Sequence, residues 1–151
     1  VLEDYYLEHI VLCLSDGLLA QCGIDLDTHR GEIAAGNLSA LCDCPFVLGS
    51  AEDIGGRIGR GLLRSSGVSP VSKATSENVE TLLALCEQGL GACFFPENLL
   101  HTALSPEQLA HLHILPLCPE ASYPICFGYL SRSYPWSVLS EFIRIAREQT
   151  A

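Results

Sequence analysis

Cysteine and histidine are the reactive side chains that recur in this chain, with eight cysteines and five histidines. His111, His113 and Cys118 lie close together, and Cys42 and Cys44 form a Cys-x-Cys pair. Structural zinc commonly takes two ligand pairs, each spaced by about two to four residues, and neither group matches that pattern. No metal site is assigned. Cys42 and Cys44 precede an apolar strand in an expected surface loop, which makes them candidates for thiol sensing. Composition leaves a Cys/His dyad open, but no spacing pairs the two. Gly-x-Ser-x-Gly, His-Glu-x-x-His and Walker sequences are absent, so neither an enzyme class nor a cofactor is expected. The run Gly55-Gly56-Arg57-Ile58-Gly59-Arg60-Gly61 has the look of a phosphate cradle. It lacks the Walker lysine and hydroxyl and lies inside a helical pattern, so close packing or flexibility of a helix is the better reading.

Hydroxyl side chains form a third group. Ser50 follows the apolar segment PFVLG, and Thr75 and Ser76 follow VSKA. In open parallel sheets, ligands bind beyond the carboxyl ends of strands, often at helix N-termini. At such ends, hydroxyls and backbone N–H groups can hold a carboxylate or a similar group. Each residue also has a plainer role: serine and threonine cap helices, and Phe94 and Phe95 nearby fit a core.

These residues need elements to position them. Residues 75–98 read as a cap at Thr75 or Ser76 and a helix with Val79, Leu82, Leu83 and Cys86 on one face. Gly89 ends that helix, and Ala92-Cys93-Phe94-Phe95 is a buried strand closed by Pro96. Residues 5–14 read as a strand, 16–22 as a short helix and 23–36 as a polar surface loop. Asn37 caps a short helix over 38–41. A strand at 45–49, a helix at 54–65 and a strand at 68–74 follow. The alternation from residue 45 to residue 95 is that of parallel βαβ units. Pro96 opens another helix, and Ser105 with Gln108 forms a capping box. Strands at 112–117 and 125–130 precede a last helix that starts at Ser133 or Ser137. That helix is expected to turn Trp136, Leu139, Phe142, Ile143 and Ala146 inward.

Hydrophobic residues make up 48% of the 151, enough for a globular core. No stretch has the apolar length of a membrane span, and no membrane partner is expected. The formal net charge of −10 argues against this segment gripping nucleic acid itself. An even cysteine count invites a disulfide framework. Four of the cysteines (Cys13, Cys86, Cys93 and Cys126) sit inside apolar runs instead, which favours reduced thiols and a cytoplasmic location.

The ordered set of motifs resembles the inducer-binding domain of LysR-type transcriptional regulators. It comprises NLSAL, PFVLG, the helix ending Gly89-Leu90-Gly91, the strand ACFF with Pro96, LHILPL, ICFGYL and a terminal helix. The resemblance covers nearly the whole chain. It implies an α/β fold of the type II periplasmic-binding-protein architecture, two lobes joined by crossing strands. Residues 1–14 would be one crossing strand, 15–120 the second lobe, and 121–151 the return strand and C-terminal helix. The chain has no Met and opens on Val1, and an N-terminal winged helix-turn-helix and part of the first lobe are expected ahead of it. The resemblance further implies a small-molecule effector in the interlobe cleft, with Ser50, Thr75, Ser76, Phe94 and Phe95 as its candidate contacts. Glu52 and Glu77 would favour an effector with a polar or positive group. DNA would be reached only through the N-terminal domain, and the protein would pair into a homodimer or homotetramer. The alternative on the same fold is a periplasmic solute-binding protein of a transporter.

Overall fold

The computed structural model describes residues 1–131 and 136–149. The chain divides into two compact units, His9–Ala121 and the pair of segments Val1–Glu8 and Ser122–Ala151.

The larger unit is built on the second half of β1 (Leu2–Ser15), where Ile10 to Leu14 are all buried. An unbroken apolar run of this kind needs cover on both faces, as a central strand has. Ser15 ends the strand and its Oγ accepts from Leu18 N at 3.3 Å, which starts α1 (Asp16–Cys22). Gly23, at φ 66°, ends it in the left-handed conformation that glycine adopts without strain.

Residues 23–36 are not the expected loop: Leu26–Ala34 forms α2. Asp25 caps it, accepting from Asp27 N at 3.1 Å and from the Thr28 hydroxyl at 2.7 Å. Leu26 and Ile33, seven residues apart, bury on one side. The polar residues between them hide the helical period, which only two side chains carry. After a single 3₁₀ turn at Ser39–Leu41 come β2 (Pro45–Gly49), α3 (Ile54–Ser65) and β3 (Val71–Ser76). Strand β3 runs two residues further than the sequence suggests, so Thr75 and Ser76 belong to the strand. The cap of α4 (Val79–Glu87) is therefore Asn78, whose Oδ1 accepts from Thr81 N at 2.9 Å. Gly89 has φ 78° beyond its end.

Strands β2 and β3 are parallel. A parallel bridge, Phe46 to Ala92, ties β2 to the chain just before β4 (Cys93–Pro96). Its bonds are Val47 N to Ala92 O and Ala92 N to Pro45 O, both 2.9 Å. Strand β4 pairs antiparallel with β1, as does β5 (Leu112–Pro116) on the other side. The order across the unit is thus β3-β2-β4-β1-β5. Pro96 closes β4 and is the N-cap, not the first residue, of a 3₁₀ turn at Glu97–Leu99 that leads into α5 (Leu100–Ala103). Helix α6 (Pro106–Leu109) carries the capping box of Ser105 and Gln108. Val11, Cys13, Val47, Leu82, Leu83, Cys86, Cys93 and Phe95 form the core.

In the smaller unit, β6 (Ser122–Gly128) pairs with β1. Helix α7 (Ser137–Gln149) buries Ile143 and half-buries Leu139 and Ala146. Trp136 and Phe142, expected to point inward, are 62% and 58% exposed. Phe142 still meets Phe127 edge to face, centroids 5.9 Å apart. Tyr5 donates its hydroxyl to Ala146 O at 3.2 Å, and Arg147 pairs with Glu3 at 3.1 Å. Ser133 lies outside the described residues.

Candidate functional site

Parallel pairing sets Leu48 opposite Thr75 and Gly49 opposite Ser76, so β2 and β3 finish level at their carboxyl ends. Each strand then passes through a serine into a helix. Ser50 Oγ accepts from Glu52 N at 3.2 Å, and Asp53 caps α3 by accepting from Gly56 N at 3.0 Å. Ser76 Oγ accepts from Asn78 N at 3.0 Å before Asn78 caps α4. A hydroxyl that accepts keeps its own proton to donate. The two serines are half-buried and Thr75 is exposed. The mouth of the sheet thus presents three hydroxyls beside two helix N-termini, whose first N–H groups have no partners within their helices.

Sequence reasoning missed Arg60. Its Nη2 donates to Gly49 O at 2.7 Å, and its Nε is buried with no hydrogen-bond partner among the described residues. The guanidinium therefore stands at the end of β2. The signal was helical spacing: Arg60 is four residues after Gly56, on the side of α3 that faces the strand.

Gly56 and Gly59 explain the glycine-rich run. A Cβ on Gly56 would stand 2.1 Å from Ser50 O, and one on Gly59 would stand 2.3 Å from the Phe94 ring. The run lets α3 lie directly on the sheet and the loop at its mouth. Phe94 is 7% exposed and stacks on Phe46 at 6.1 Å. Phe95 is fully buried in the core beside Leu82 and Leu83. The structure brings Ser50, Thr75 and Ser76 to one end of the sheet and sets the two phenylalanines beneath, in packing.

The other candidate groups are spent elsewhere. His113 Nε2 lies 2.6 Å and His111 Nδ1 3.6 Å from the carboxylate of Asp16. The hydrogen bond from His113 holds the Asp16 carboxyl below its ordinary value. Among the described residues, no group of three or more His, Cys, Asp or Glu is placed to hold a metal ion. All eight cysteines are free thiols. Cys93 lies in the core with Cys13 and Cys86, and hydrogen bonds to both, with burial, push its thiol well above the ordinary value. No described helix is long and apolar enough to cross a membrane.

The fold is α/β, of the type II periplasmic-binding-like class. The chain belongs to the LysR substrate binding domain family, whose pattern matches residues 3–151. Among solved structures it is similar to the regulatory domain of CcmR from Synechocystis PCC6803 in complex with 2-PG, at 12% identity and TM-score 0.70, over 99% of this chain and 66% of that one. It is also similar to HinK, a LysR family transcriptional regulator from Pseudomonas aeruginosa, at 17% identity and TM-score 0.69, over 99% of this chain and 48% of that one. The effector binding domain of QuiR in complex with shikimate matches at 12% identity and TM-score 0.64, over 98% of this chain and 65% of that one. The chain thus spans from about half to two thirds of the length of these structures. No curated protein matches it.

Proposed function

We propose that this chain is the effector-sensing part of a LysR-type transcriptional regulator and binds a small molecule at the carboxyl ends of β2 and β3. The observation that carries this reading is the level ending of the two strands, with Ser50, Thr75 and Ser76 beside the N-termini of α3 and α4. Arg60 adds a cation there and Glu52 and Glu77 add anions, which suits an effector carrying a carboxylate together with a polar or positive group. Phe94 and Phe95 would support the mouth from below. The site would lie in the interlobe cleft that the family pattern implies, with residues 1–14 and 121–151 as crossing segments and C-terminal helix. Its occupancy would regulate DNA binding by a winged helix-turn-helix domain in a cytoplasmic homodimer or homotetramer. The protein would act by binding alone: the effector must bind one conformation better than the other, or the equilibrium does not move.

Thermal-shift screening of small organic acids and amino acids against the two-lobed domain would supply a ligand. Titration calorimetry of that ligand against the double variant Thr75→Val, Ser76→Ala then tests the site. Loss of two hydrogen bonds to a charged group, about 1.5–3 kcal/mol for each bond, should weaken binding by about a hundredfold or more. Unchanged affinity would sink the assignment.

A further inference from the structure

Two thiols outside the strand ends meet across a cavity. Cys22, the last residue of α1, and Cys44, just before β2, stand 22 residues apart in sequence, yet their sulfurs lie 3.5 Å apart. Cys44 is buried and Cys22 half-buried. Both line a cavity of about 230 Å³, with Asp25, Thr28, His29 and Asp43 among its other walls. The backbone holds both sides in place. Gly23 terminates α1 by bonding back to Leu19 O, and Cys44 N donates to Leu41 O at 3.0 Å. A disulfide bond is about 2.0 Å long, so the sulfurs need approach by only roughly 1.5 Å from 3.5 Å.

We propose that Cys22 and Cys44 are an oxidisable pair that a small neutral hydroperoxide, entering through this cavity, converts to a disulfide. Cys22 is the accessible partner. Its thiolate attacks one oxygen of the hydroperoxide, the O–O bond breaks, and the other oxygen leaves as an alcohol or water after taking a proton. Cys22 is then a sulfenic acid. The Cys44 thiol loses its proton and its sulfur attacks the Cys22 sulfur, displacing hydroxide, which takes up the proton and leaves as water. Two thiols are oxidised by two electrons and the O–O bond is reduced by two. Burial, with the neighbouring Cys22, pushes the Cys44 thiol up to about 12. That makes Cys44 the poorer initiator and leaves the first attack to the more accessible Cys22. The walls favour this oxidant class: Asp25 and Asp43 repel an anionic disulfide such as glutathione disulfide. The other close thiols, Cys13, Cys86 and Cys93, have no exposed surface through which an oxidant could reach them.

The test is oxidation of the protein with hydrogen peroxide, alkylation of the remaining thiols under denaturing conditions, and peptide mass spectrometry. The expected product is a Cys22–Cys44 linked peptide that dithiothreitol abolishes, with Cys13, Cys86 and Cys93 recovered as alkylated thiols. In Cys44→Ser, Cys22 should remain a sulfenic acid that dimedone captures. Cys22→Ser should form no link, and serves if Cys44→Ser fails to fold. A link from Cys22 to Cys42 in place of Cys44, or oxidation that leaves Cys22 reduced, overturns the pair. Glutathione disulfide forming the link as fast as peroxide overturns the oxidant class.

Discussion

Helices α3 and α4 leave the same end of the same parallel strand pair, yet they are held to the sheet in opposite ways. Helix α3 comes close through missing side chains: Gly56 lies against the backbone of Ser50, and Gly59 lies over the ring of Phe94. Helix α4 is anchored by side chains that fill the core, Leu82, Leu83 and Cys86, all but fully buried. One wall of the candidate site is therefore set by backbone contact and the other by packing of aliphatic groups. A wall of the first kind tolerates no added atoms, and one of the second kind tolerates no removed ones.

Three substitutions separate these modes. Leu82→Ala should have the largest effect, lowering stability by about 2–5 kcal/mol in urea unfolding, because it leaves a cavity beneath α4. An effect well below that range would mean α4 collapses into the space and is not pinned by packing. Gly56→Ala adds one carbon where Ser50 O lies 2.1 Å away, and α3 or the loop must move. The expected loss is about 1–3 kcal/mol, as for overpacking, although alanine favours a helix by about 1 kcal/mol. A stabilised variant would show that α3 has slack. Asn78→Ala should be the mildest, about 1 kcal/mol for a lost N-cap, with the crystal structure of the variant showing β3 still paired through Ser76. If β3 frayed back to Ala74, the cap and the strand end would be one cooperative unit, and the level ending of β2 and β3 would depend on Asn78.

Much of this arrangement was legible in the sequence, and the reasons differ by element. Helix α3 was read at its full extent because Asp53, the apolar spacing and Gly67 all lie within a turn of its ends. The capping box of Ser105 and Gln108 is a contact between residues three apart, so the sequence contains it whole. The end of β3 was misplaced because Thr75, Ser76 and Asn78 can all cap a helix. The pairing of Thr75 with Leu48 chose among them, and that pairing is not local. The candidate hydroxyls were legible by their position after strands, whereas the burial of Phe94 and Phe95 and the stacking of Phe94 on Phe46 depend on packing that side-chain type does not encode. On α7, Trp136 and Phe142 share a face with Ile143 by period, but only the observed packing decides which of them is covered.

The sequence by itself determined the order of elements other than α2, most helix starts and stops, and the placing of hydroxyl residues next to the strand ends. These follow from interactions between residues a few positions apart and from apolar periods. Tertiary structure alone decided that Arg60 reaches Gly49, that His111 and His113 share Asp16, and that Cys22 meets Cys44. Except for Arg60 and Gly49, which lie 11 residues apart, those contacts join segments distant in the chain. Their existence depends on which strands pair and how closely the helices lie on them, and no local preference encodes that.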